Sequence, residues 1–379
     1  MPSRLPPYRM INSAVALRAL ADELTRVPLV AVDTESNSLF AYREQVCLLQ
    51  LSTREQDYIV DPLSVSDLSP LGPVFASPEV EKVFHAGDND VMVLKRDFGF
   101  SFANLFDTMV AARILGRKAF GLGAMLEEYF GVVVDKRYQK ANWAIRPLPR
   151  DQLDYARTDT HYLPLLRDAL KEALSAGGHD EEAAETFDFI ASARASEVTF
   201  DPDGFWFIHA ARDLPRRQMA SLREIYLLRE RIAQARNIPP FKVMSDETMV
   251  ALAHQMPVHI NDLYAIGGLS DVVVSRYGED ILDALRRGRA AQLPPRPHQN
   301  RRDEATMERY QALRDWRKHR AIMRGVESDV IIPKEALMTL AENPPTTLDK
   351  VGQVPGIGRW RLAQYGEEIL EVLRKIAAH

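Results

Sequence analysis

One cysteine in 379 residues excludes an internal disulfide, so this scaffold is not held together by covalent bridges. Cys47 lies within the apolar run Val46-Cys47-Leu48-Leu49, where a buried, reduced thiol is expected, as in a reducing cytoplasm. No stretch of about 18 consecutive apolar residues occurs, which argues against a membrane-spanning helix. The start, Met1-Pro2-Ser3-Arg4, leads into polar amphipathic sequence without the apolar centre of an export signal. The expectation is a cytoplasmic protein with no membrane partner. With 46% hydrophobic and 27% charged residues, the chain has an ordinary soluble composition. Its length exceeds one typical core, so two or three domains are expected.

The net charge of −5 conceals an uneven distribution. Residues 1–203 carry 21 lysines and arginines against 31 aspartates and glutamates, whereas residues 204–379 carry 27 against 22. An acidic half that holds cations, joined to a mildly basic half, suits a protein that acts on nucleic acid, and a surplus of five over 176 residues equally suits an ordinary solvated surface.

The acidic half contains two short patterns. Asp33-Thr34-Glu35 follows the apolar run Pro28 to Val32, and alternation along a strand puts the two carboxylates on one face. Tyr155 and Asp159 stand four apart in a helical stretch, which brings a phenol and a third carboxylate onto one helix face. Asp90 lies between these patterns in sequence. Carboxylates gathered this way repel one another unless divalent cations neutralise them, and hard oxygen ligands suit Mg²⁺ or Mn²⁺.

Together with their context, these segments resemble the DEDD exonuclease superfamily in its tyrosine-bearing branch, and most closely the ribonuclease D family. The resemblance runs in order through Val30 to Glu35, Val46 to Ser52, Tyr58 to Asp61, Val83 to Asp90, Leu105 to Thr108, Trp143 with Arg146-Pro147-Leu148, and Tyr155 to Leu163. It implies an α/β ribonuclease-H-like exonuclease domain with a mixed sheet. Three strand-like runs (28–33, 45–52, 57–61) fit a meander, followed by strand 82–85, helix 89–97, strand 104–107 and helices 108–115, 121–130 and 151–174.

The family's roles carry over to matching positions. Asp33 would bridge two cations, Glu35 and Asp159 would complete the site for the attacking water, Asp90 would serve the second metal, and Tyr155 would hold or help deprotonate that water. The family pattern His-x-x-x-x-Asp, read from His85, selects Asp90 over Asp88. His85 reads as structural, and Asp107 as a cap for the next helix. Two positions depart from the family: Ser36 replaces an aromatic residue, and Asn142 replaces an acidic one. Lys140, Trp143 and Arg146 form a loop suited to a single-stranded 3′ end, or equally one packed by Trp143 against the helix of Tyr155.

The C-terminal half repeats itself. Tyr277-Gly278-Glu279-Asp280-Ile281-Leu282 returns as Tyr365-Gly366-Glu367-Glu368-Ile369-Leu370, a displacement of 88 that also maps Arg229 onto Arg317 and Gly268-Leu269 onto Gly356-Ile357. Two small all-α units result, resembling the HRDC domain that is appended to ribonuclease D. The domain expectation is therefore an exonuclease domain at 1–200 (core about 10–176), one helical domain at 213–292, an extended proline-rich linker at 293–302, and a second helical domain at 303–379. In the second copy, Val354 to Gly358 precedes Arg359 and Arg361, and reads either as a phosphate-binding hairpin or as a turn that needs glycine.

The resemblance implies a metal-dependent 3′→5′ exoribonuclease, with two Mg²⁺ or Mn²⁺ per site, that releases nucleoside 5′-monophosphates. Its implied partner is RNA with a free 3′ end, such as a tRNA precursor, guided by the helical units. Single-stranded DNA with the same chemistry and a non-catalytic RNA-binding protein are the alternatives, and no obligate protein partner is inferred.

Overall fold

A computed structural model describes residues 5–195, 199–292, 295 and 303–377. Apart from Pro295, the expected linker at 293–302 lies outside the described residues. The chain forms two compact units: Met1–Ser36, Val46–Ser196 and Asn300–His379 make one, and Asn37–Gln45 with Glu197–Gln299 the other. The second helical copy thus belongs to the same unit as the exonuclease domain. The first copy groups with the connection between the second and third strands.

Six strands form one mixed sheet in the order β1-β4-β3-β2-β5-β6, with β1 Tyr8–Ile11, β2 Leu29–Ser36, β3 Val46–Ser52, β4 Asp57–Val60, β5 Glu81–Phe84 and β6 Leu105–Asp107. β2, β3 and β4 are the expected antiparallel meander. β5 and β6 add in parallel beside β2, and β1 adds in parallel to β4. β1 was not foreseen, because four residues beside Pro6 and Pro7 carry no alternation long enough to read. β2 and β3 are Leu/Val-rich on both faces, as strands covered by helices must be. The last expected helix is two helices, Arg150–His161 and Leu163–Gly177, and Pro164 stands in the first turn of the second. Proline cannot continue the preceding hydrogen-bond ladder but is tolerated at a helix start.

The helical copies are true repeats. Gly268 and Gly356, 88 apart, both have φ +86°, and both occupy the turn that leads into the last helix. Arg229 donates to the Met244 carbonyl and Arg317 to the Ile332 carbonyl, again at the same displacement. Each copy has its own apolar core. Val330 of the second copy, however, belongs to the exonuclease core, and Val326 packs against both.

Candidate metal centre

β2 starts in the core and emerges half-buried at Asp33-Thr34-Glu35, so alternation directs Asp33 and Glu35 to the same face. A register irregularity follows at Glu35/Ser36. Over this face lies the Arg150–His161 helix, which packs across β2, β3 and β4. Buried polar contacts fix its position. The Thr160 and Ser52 hydroxyls meet at 2.8 Å, Arg157 donates to Asp57 at 3.3 Å and to the Leu5 carbonyl, and His161 Nδ1 lies 2.9 Å from Asp57. With those residues turned toward the sheet, Tyr155 and Asp159 face β2. Carboxylate oxygens of Asp33, Glu35 and Asp159 then lie within 4.8 Å of one another.

Asp90 enters from the other edge of β2. β5 pairs with β2 only as far as Ala31, which leaves the Thr34 N–H free of a strand partner on that side. Asp90, in the first turn of the Asp88–Phe98 helix, accepts that N–H at 3.0 Å and the Thr34 hydroxyl at 2.5 Å. The turn before this helix is held by Asp107, whose carboxylate accepts the N–H groups of Gly87, Met109 and Val110. His85 Nδ1 meets the Thr108 hydroxyl at 2.9 Å, and Asp88 is exposed. Thr34 went unnoticed in the sequence, although its place between two carboxylates was the available signal.

The electrostatics are those of crowded carboxylates that repel one another. Burial, and then repulsion from Asp90, Asp159 and Glu35, hold Asp33 well above the usual carboxylate range. The same causes push Glu35 up to about 9 and Asp159 up to about 7. Burial raises Asp90 to about 6 against the opposing hydrogen bonds from Thr34. Burial and then the Asp159 charge raise the Tyr155 phenol further above its ordinary value. Hard oxygen donors that are this reluctant to ionise together fit divalent cations, whose charge would reverse the repulsion.

The 3'-5' exonuclease family pattern matches residues 8–175, and the HRDC domain pattern matches at 218–285 and 306–373. Ribonuclease D of Acidiphilium cryptum (strain JF-5) is 30% identical over 377 residues, which cover 97% of this chain and 93% of that protein. The chain belongs to the ribonuclease D family. It is also 34% identical over 292 residues to the exosome complex component 10 homolog of Caenorhabditis elegans, matching 76% of this chain and spanning only 33% of that relative. Among solved structures, RNase D of Escherichia coli, described as an exoribonuclease involved in structured RNA processing, is similar with TM-score 0.71 and 25% identity over 98% of this chain and 99% of that one.

Three of the five residues expected to contact nucleic acid are engaged elsewhere in this ribonuclease D fold. Trp143 is 2% exposed and stacks behind Tyr155 with ring centroids 6.2 Å apart, so it is a wall of the site rather than a platform for a base. Arg146 donates through two nitrogens to Asp61, each at 2.8 Å, and to the Cys47 carbonyl at 2.7 Å. Arg361 is 3% exposed and pairs with Glu185 at 3.0 Å. Glu185 also accepts the Trp360 N–H at 2.6 Å, so a carboxylate of the exonuclease domain fills the helix N-terminus that was expected to face a phosphate. Nearby, Arg324 pairs with the fully buried Glu182, and Arg113 with Glu327 and Asp329. Lys140 and Arg359 remain exposed.

Proposed function

We propose that this chain is a metal-dependent 3′→5′ exoribonuclease that releases nucleoside 5′-monophosphates from RNA with a free 3′ end. The observation that carries the reading is the meeting of Asp33, Glu35 and Asp159 within 4.8 Å, with Asp90 bordering them and no arginine or lysine paired to any of the four among the described residues. Two divalent cations, Mg²⁺ or Mn²⁺, would supply an acidified water and charge stabilisation for the leaving 3′-oxygen. Asp33, Glu35 and Asp159 would hold the cation that acidifies the water, and Asp90, oriented by Thr34, would serve the one that stabilises the leaving group. Tyr155, whose phenol ordinarily ionises well above neutral pH, orients the attacking water by hydrogen bonding rather than acting as its base. Trp143 and Tyr138 pack on the Tyr155 ring and fix the hydroxyl's position.

Family membership along nearly the whole chain supports RNA as substrate. Structured RNA such as tRNA precursors is the finer expectation, with exposed Lys140 and Arg359 as contacts and the cytoplasm as compartment, the last resting on the single reduced Cys47. The test is product analysis on matched 5′-labelled RNA and DNA strands, with chelator, Mg²⁺ or Mn²⁺. Stepwise metal-dependent shortening of RNA from its 3′ end, weakened by roughly 10²-fold in Tyr155→Phe, is expected. Internal cuts, shortening from the 5′ end, or full activity in chelator would refute the reading.

A further inference from the structure

Beneath the helix that carries Tyr155 and Asp159 lies a residue that the chemistry above does not use. Gln50 on β3 is 0% exposed, and neither its Nε2 nor its Oε1 has a hydrogen-bond partner in the protein. Its neighbours are largely apolar: Leu48, Ile59, Leu153 and Ala156 belong to one buried cluster on this side of the sheet. A leucine or methionine would fill such a layer, whereas a buried polar atom left unpaired destabilises the fold. The amide is therefore a burden on the fold unless a nearby polar group engages it when the site is at work.

Its location indicates what that is. In the antiparallel register Gln50 stands opposite Asp33, and on its other side opposite Ile59. Directly opposed residues project from the same sheet face, with Cβ atoms about 4.5–5.5 Å apart. The helix above is in step with β3. Thr160 meets Ser52, so one turn back along the helix, Ala156 falls above the position two residues back along the strand, which is Gln50. Ala156 is fully buried there and carries only a methyl group toward the sheet.

We propose that Gln50 is a positioning residue of the metal centre: in the loaded state its amide N–H donates to the Asp33 carboxylate and so fixes which oxygen faces the cations. The inference rests on the metal-centre reading above. A carboxylate has about four lone-pair sites, so Asp33 can ligate and accept at once. Hydrogen bonds that orient a ligating carboxylate are worth roughly 10–100-fold in metal affinity. The buried, unpaired amide opposite Asp33 is thus available for that donation.

The test compares the full-length wild type with Gln50→Met and Gln50→Leu, which keep the volume and remove the amide. Mn²⁺ binding is measured by calorimetry, and melting temperature in chelator and in saturating Mn²⁺. The expected result is a dissociation constant weakened by about tenfold or more, with melting in chelator unchanged or raised because an unpaired buried amide has been removed. Equal Mn²⁺ affinity in wild type and both variants would overturn the proposal. So would a fall in chelator melting temperature in both, which would make the amide a structural group. A wild-type chain that binds no Mn²⁺ would instead remove the metal centre itself, and this inference with it.

Discussion

Two sets of carboxylates inside the same unit are treated in opposite ways. Glu182 and Glu185, on the Asp180–Ser192 helix, each meet an arginine of the second helical copy, Arg324 and Arg361. Asp33, Glu35, Asp90 and Asp159 meet none, and each is driven above its ordinary pKa by burial and, for Asp33, Glu35 and Asp159, by neighbouring carboxylates. Acids matched by the fold build architecture. Acids left unmatched at a strand end and helix face are held ready for a cation.

The largest expected effect comes from removing one charge of the unmatched set. Asp33→Asn should lower RNA hydrolysis by more than about 10²-fold through loss of a metal ligand. In chelator the same variant should melt higher than wild type, because one acid that must be kept from ionising among like acids has gone. The same acid-to-amide change in the matched set should do the reverse. Glu185→Gln should lower unfolding stability by about 3 kcal/mol, since Arg361 is left buried without its counter-charge, while the folded fraction still trims short oligonucleotides. Chemical denaturation alongside hydrolysis assays reads both variants. A destabilised Asp33→Asn with a neutral Glu185→Gln would erase the distinction.

A smaller effect is the pH response of the unmatched set. Glu35 near 9, Asp159 near 7 and Asp90 near 6 lie above an unfolded carboxylate near 4, so the metal-free fold binds these protons more tightly than the unfolded chain does. The stability they confer in acid is lost as pH rises from about 4 to about 9. Cations compete for the same sites, so Mg²⁺ affinity should rise by up to about tenfold per pH unit for each proton displaced. Calorimetric titration between pH 6 and 9, in buffers of different ionisation heat, reads affinity and proton release together. A flat affinity without proton release would mean that the four carboxylates do not form the binding site.

The contrast between these sets also explains what the sequence reveals. Asp33, Glu35, Tyr155 and Asp159 were legible because periodicity puts each pair on one face of a strand or helix and the order of the surrounding segments resembles the DEDD exonucleases; the meander and most helices follow from apolar runs and caps. Nothing in periodicity reports what a surface arginine will meet. Arg361 and Arg146 were read as phosphate contacts by their chemistry, yet Glu185 and Asp61, distant in sequence, occupy them. Trp143 looked like a stacking platform and is buried against Tyr155, an arrangement that the loop's composition equally allowed. The repeat itself was visible, but not that one copy shares a unit with the exonuclease domain while the other does not.

That last difference is accompanied by a local one at the start of the last helix, which supplies the finest test. In the first copy, Ser270 caps the last helix itself, its hydroxyl accepting the Val273 N–H at 3.3 Å. At the matching position the second copy has Gly358, which offers no side chain, and the neighbouring N–H groups of Trp360 and Arg361 turn to Glu185. A Cβ built on Gly358 would lie 2.5 Å from the Glu185 carboxylate, so a self-capping residue and the docked acid exclude one another. Gly358→Ser should therefore import the first copy's cap and displace Glu185. Hydrogen exchange should then accelerate at the start of the Arg359–Ala377 helix and along Asp180–Ser192 together. Ser270→Ala should cost only about 1 kcal/mol, the ordinary value of an N-cap, with faster exchange confined to the start of the Asp271–Ala290 helix. If Gly358→Ser left exchange in Asp180–Ser192 unchanged, Glu185 would not depend on the bare helix end, and the two copies would differ by sequence drift rather than by docking.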